Sequence, residues 1–220
     1  MASKVSFSRP PSATEAVLEE LRRRITEGEL APGSRLNTDE LAQEMGVSRV
    51  PVREGFKLLA GEGLIANEPH GGFFVRELKL EDLREIYRMR ELLETELVRS
   101  AVPALSDLTL SQLRATLDEI ADADRAEDRP AHSRANRRFH FLLFEAAELP
   151  MTLNHVRLLW DSSDHYRARY TADPAARKAI AADHEAVMVA LTARDSESAV
   201  IELNAHRRRA QEALSVDLAQ

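Results

Sequence analysis

Residues 46–65 read GVSRVPVREGFKLLAGEGLI. Arg49 and Arg53 stand four apart just after a Gly-Val-Ser turn, so a helix there carries both guanidinium groups on one face. Val47, Val52, Phe56 and Leu59 recur at helical spacing on another. Ser48 is a capping residue type, and Pro51 falls in the first turn, where a missing N–H is tolerated. The stretch predicts a helix from Ser48 to about Ala60, stopped by Gly61 and Gly63, with one apolar side and one arginine side.

Upstream, Val17, Leu18, Leu21 and Ile25 predict a helix over 14–29, broken by Pro32 and Gly33. Thr38 is the expected cap of a short helix through Met45, which Gly46 ends. Residues 1–12, with Pro10 and Pro11, read as a flexible arm. Downstream, two short apolar runs flank Pro69-His70-Gly71-Gly72, a hairpin and the only strand signal of consequence. Helix, short turn, helix and hairpin make a winged helix-turn-helix. In that geometry the second helix enters the DNA major groove with its N-terminal residues leading. Arg49 and Arg53 lie in the leading turns, where arginine grips guanine edges or phosphates. The helix N-terminus at Ser48 also favours a phosphate oxygen. Gly71 and Gly72 let the wing tip approach a groove, with His70 beside them.

The sequence has 220 residues and a formal net charge of -7, which argues against bulk nucleic-acid binding and leaves room for a local basic face. Residues 1–76 hold 10 Lys and Arg against 11 Asp and Glu, so the acidity lies further on. With no cysteine, disulfides and thiolate metal sites are excluded and a reducing compartment fits. No apolar run approaches the roughly 18 residues of a membrane span, and the N-terminus lacks a signal core. A cytoplasmic protein without membrane contact is expected.

After Leu80 the segments 80–103, 109–127, 130–148, 151–171, 174–194 and 196–217 all favour helix, with breaks near Pro103, Pro130, Pro150 and Pro174. The expected architecture is mostly α: a winged helix-turn-helix over 1–76, then an antiparallel six-helix bundle over 77–220. In the bundle, Asn136 and His140 share a helix face. His184 and His206 lie on two further helices. Three imidazoles from three helices can converge in a bundle core and hold a divalent cation. His132 and His155 read as surface residues.

Two resemblances follow from these residues. LNTDELAQEMGVSRVPVREGFKLLAGEGLIANEPHGGFFV resembles the winged helix of the GntR family of bacterial transcription regulators, whose run is close to G-V-S-R-x-P-V-R-E-A-L followed by an E-G-L step. That resemblance implies DNA contacts at Ser48, Arg49 and Arg53, with His70 and Gly71 at the wing tip. Asp39 departs from it, standing where the family often has a DNA-contacting arginine. Gly55-Phe56 replaces the usual Ala-Leu. NRRFHFLLFEAA, LLWDSSDHY and DHEAVMVALTARDSESA are similar to the all-helical FCD ligand domain of the FadR-type subgroup. That implies a metal on Asn136, His140, His184 and His206, with the amide of Asn136 where the aspartate variant has a carboxylate. Zinc suits the imidazole set, with nickel and manganese open. It also implies a small organic-acid effector, with Arg90 as its arginine and Tyr166, Arg167 and His165, near Trp160, as further candidates.

The combined expectation is a homodimeric transcription regulator on a palindromic, double-stranded operator, its affinity set by a small anionic effector such as a carboxylic acid. Two alternatives stay open: a metal-dependent hydrolase with an accessory DNA-binding domain, and a regulator with a purely structural metal and an apolar effector.

Overall fold

The computed structural model describes residues 12–69, 71–171 and 173–218, apart from the side chains of His165, Ala168, Arg169 and Asp217. The chain divides into two compact units, Met1–Glu77 and Leu78–Gln220.

In the first unit, α1 (Ala13–Thr26) precedes a two-residue strand β1 (Arg35–Leu36), then come α2 (Thr38–Glu44), α3 (Arg49–Gly61), β2 (Ile65–Glu68) and β3 (Gly72–Val75). Ser12, expected in the arm, instead starts α1 with a capping box to Glu15; the rest of the arm lies outside the described residues. Asn37, not Thr38, caps α2, its amide oxygen accepting from the Asp39 and Glu40 N–H groups. An amide one residue earlier reaches those donors, so Thr38 becomes the first helical residue. Ser48 precedes α3 in extended geometry but makes no side-chain cap hydrogen bond, contrary to expectation.

The hairpin pairs Ile65 with Val75 through Glu68 with Gly72, and Gly72 turns the tip at a φ of 97°. β1 adds to its far edge, giving the antiparallel order β1-β3-β2. Two residues cannot display a period of two, so this third strand has no pattern to read. Val17, Leu21 and Ile25 of α1 pack with Leu41, Val52, Phe56 and Leu59 beneath the sheet. Gly55 sits where α1 presses closest. A Cβ there would stand 3.3 Å from Leu21 Cδ1 and 3.4 Å from Val17 Cγ1. The missing side chain is what admits the neighbouring helix, and Phe56 fills the core beside it against Phe73.

The second unit is an antiparallel bundle of α4 (Leu80–Ala104), α5 (Asp107–Arg125), α6 (Arg129–Glu145), α7 (Pro150–Tyr170), α8 (Pro174–Thr192) and α9 (Ser196–Leu218). Prolines at the starts of α6, α7 and α8 open helices where an N–H has no partner. Leu97, Val98, Leu113, Phe139, Leu143, Phe144, Val187 and Leu191 form the centre of its core. Among the described residues no helix is long and apolar enough to cross a membrane.

Candidate DNA interface and effector pocket

At the start of α3, Ser48, Arg49, Val50 and Arg53 are all exposed, while Pro51 and Val52 of the same turns are buried. Burial of the apolar stripe thus fixes which side of α3 faces out. With no side-chain cap at Ser48, the first-turn N–H groups gain no intrachain partner from it, the arrangement that receives a phosphate oxygen. Arg49 pairs with Asp39 of α2, Nε lying 2.7 Å from Oδ1. Gly71 is half-buried at the wing tip, its N–H donating to the Glu68 carbonyl. His70 lies outside the described residues.

In the second unit, His140 of α6, His184 of α8 and His206 of α9 converge, each offering a ring nitrogen within 4.8 Å of the others'. The Nε2 atoms of His140 and His184 are 3.3 Å apart. Two imidazoles on one tetrahedral ion at about 2.0–2.1 Å would hold their nitrogens at about that separation. His206 Nδ1 lies 3.2 Å from Asp183 Oδ2, and Arg209 donates to the same carboxylate. A carboxylate behind a ligating histidine fixes its ring and tautomer, leaving Nε2 to face inward. One turn before His140, the buried Oδ1 of Asn136 has no partner. Burial pushes the His140 and His184 imidazoles well below the usual histidine range, and the neighbouring rings add to it. Burial lowers His206 too, against an opposing pull from Asp183. All three are therefore kept neutral, the form that binds a metal.

His132, expected at the surface, is only 2% exposed. With Asn136 and His140 it follows the inward stripe of α6 at intervals of four. The imidazole stem packs well enough to be buried when a helix turns it inward, which a lone histidine does not disclose. His155 is exposed, Nδ1 meeting the Met151 carbonyl.

Beside the histidines stands an arginine cluster around Trp160, whose ring centroid is 4.9 Å from that of His140. The Arg90 guanidinium carbon lies 4.4 Å and that of Arg167 3.8 Å from the Trp160 ring centroid. Arg90 is buried and donates through Nε to Glu94 at 2.7 Å, while its buried Nη1 has no partner. Arg207 donates twice to Glu94 and the Trp160 indole once. Burial pushes the Glu94 carboxyl up, but Arg207 and Arg90 outweigh it and hold it at about 2. Burial, then the charge of Arg90, weigh against the charge of Arg167, which pairs with Asp164. The Tyr166 hydroxyl accepts from the Leu78 N–H, tying α7 to the segment entering α4. The His165 side chain is outside those described.

Sequence reasoning named Arg90, Arg167, Asn136 and the three histidines, which this region brings together. It missed Arg207, Asp183 and the buried role of Glu94. Arg207 and Asp183 each adjoin a histidine already singled out, which was the one available signal. Glu185 faces away and takes Arg114 of α5 at 2.7 and 2.8 Å.

Two family models match the chain: bacterial regulatory proteins of the gntR family over 13–75, and the FCD domain over 85–209. The HTH-type transcriptional regulator McbR of Escherichia coli is 30% identical over 190 residues, covering 84% of this chain and 85% of that protein. The solved structure of E. coli McbR/YncC superposes with a TM-score of 0.87 at 26% identity, covering 96% of this chain and 100% of that one. A GntR transcriptional regulator from Rhodococcus sp. RHA1, described as putative, gives 0.80 at 27%, covering 93% and 98%.

Proposed function

Given that the chain belongs to the gntR family of bacterial regulatory proteins and is a transcription regulator with an FCD domain, we propose that it binds a palindromic operator as a cytoplasmic homodimer and senses a small organic acid at a metal-containing pocket. Ser48, Arg49 and Arg53 read or clamp DNA, with Gly71 and His70 at the wing tip. Met89 and Leu92, exposed one turn apart on α4, support self-association, and two-fold symmetry would present two reading helices to one operator.

The observation that carries the pocket reading is the meeting of buried His140 and His184 and part-buried His206 with the unpartnered oxygen of Asn136. Those four residues would hold a divalent ion, zinc first among imidazole-binding metals, with nickel or manganese as other fits. The ion would supply Lewis acidity toward an oxygen ligand. Neutral ligands leave its charge uncancelled, and Arg90 keeps a partnerless Nη1 in the same region, so the pocket favours an anion. Arg90 is held by Glu94 through Nε, which keeps Nη1 directed to a carboxylate. Tyr166, engaged with Leu78, would shape the pocket rather than grip the effector. Glu185, next to His184 in sequence, is turned out to Arg114 rather than toward the histidines, where a hydrolase would use it as a general base.

Trp160 is the only tryptophan, and it touches both groups, so its fluorescence reports on the site. Zinc or nickel added to chelator-stripped protein should change the emission and saturate at about one ion per chain. His140→Ala and His184→Ala should abolish the change. Small mono- and dicarboxylates should shift emission further only in the loaded protein. Emission unmoved by either metal, or moved equally in the His variants, would overturn this reading.

A further inference from the structure

We propose that Asp39 is a specificity-determining residue, positioning Arg49 for guanine by bracing its guanidinium from α2. The inference rests on the reading of Arg49 as a base contact. At first sight a carboxylate in the first turn of α2, beside a DNA-reading helix, is a defect. It repels phosphate. It also neutralises an arginine that would otherwise attract DNA.

The geometry assigns it a use. Asp39 Oδ1 lies 2.7 Å from Arg49 Nε, and both side chains are largely exposed, on the same side as Ser48, Val50 and Arg53. Among the described residues the two Nη atoms of Arg49 have no partner. An arginine whose carboxylate partner lies at Nε keeps both Nη groups for DNA, and that fork matches O6 and N7 of one guanine. Arginine free in solvent samples many rotamers, and it clamps any phosphate as readily as a base. Pairing with Asp39 removes part of that freedom before DNA arrives. The carboxylate then penalises the misdirected phosphate contact, so one residue supplies both the positive and the negative element of specificity. The backbone that carries Asp39 is held by the α2 cap, its N–H donating to Asn37 Oδ1 at 2.9 Å.

The test is selection of bound duplexes from a randomised DNA pool by the full chain, comparing wild type with Arg49→Ala, Asp39→Ala and Asp39→Asn. Arg49→Ala identifies the position that Arg49 reads, as the guanine preference it erases. At that position Asp39→Ala should cut discrimination by about two- to tenfold, while affinity for non-specific duplex rises. Asp39→Asn removes the charge that pairs with Arg49 and should lose discrimination as Asp39→Ala does. In the Arg49→Ala background Asp39→Ala should no longer alter base preference. Unchanged guanine preference in Asp39→Ala, with tighter binding to every sequence, would reduce Asp39 to simple repulsion and overturn the proposal. Sharper preference in Asp39→Ala would make the pair a restraint and overturn it equally. If Arg49→Ala erases no preference, the base-contact reading fails first and the proposal with it. Circular dichroism of each variant identifies any loss of the helix rather than of the brace.

Discussion

The carboxylate of Glu94 accepts four hydrogen bonds, one from Arg90, two from Arg207 and one from Trp160, in a buried site joining α4, α7 and α9. Removing one partner of a buried charged set strands the others. Glu94→Ala should therefore destabilise the second unit by about 3–5 kcal/mol, measured by urea denaturation. A loss below about 1 kcal/mol would mean that water reaches the arginines and replaces the carboxylate. Exposed side chains behave differently. Arg49→Ala should leave the melting temperature nearly unchanged and weaken operator binding by about 1–3 kcal/mol. Equal affinities for mutant and wild type would remove Arg49 from the interface.

At the scale of elements, Gly55 links two helices that periodicity treats separately. Gly55→Leu would drive a branched side chain into Leu21 and Val17, and should destabilise the first unit by about 1–3 kcal/mol. Calorimetry of the variant showing no loss would mean that α1 can move aside. From sequence alone Gly55 looked like a simple cost in helix propensity, since the approach of α1 is a tertiary fact. The helices were legible throughout, because amphipathic spacing and proline breaks act locally. The partners of β1 are Phe74 and Phe73, nearly forty residues away, so nothing near Arg35 announces a strand. The histidines could be named because metal-binding residue types are few. Glu94 could not, since a glutamate four residues after an arginine reads the same whether on the surface or between three helices.

For the whole molecule, acid is the informative perturbation. His140, His184 and His206 have lowered pKa values when folded, so below about pH 6.5 the unfolded chain binds more protons than the folded one. Stability of the metal-free protein should be flat above that pH and fall below it, by up to about 1.4 kcal/mol per pH unit for each histidine. Glu94, held at about 2, adds a second loss as pH falls from about 4.3 toward 2. Denaturation series at successive pH values would show both phases, and a stability independent of pH between 7 and 5 would contradict the burial of the histidines. Self-association has its own check. Leu92→Glu places a charge beside Met89 on the exposed side of α4 and should shift the sedimentation of the chain from dimer toward monomer. A variant that sediments like wild type would put the interface elsewhere.

Elemental analysis of protein purified without a histidine tag or chelator reads out whether His140, His184 and His206 hold a divalent metal. The expected result is up to one metal per chain, lost in each of the three His→Ala variants while the helical circular dichroism persists. Metal bound only by the folded state should also raise the melting temperature, by the equivalent of about 2.7 kcal/mol at one hundred times its dissociation constant. Protein that contains no metal, and whose melting curve added zinc does not shift, would contradict a metal site there and leave the anion to Arg90 alone.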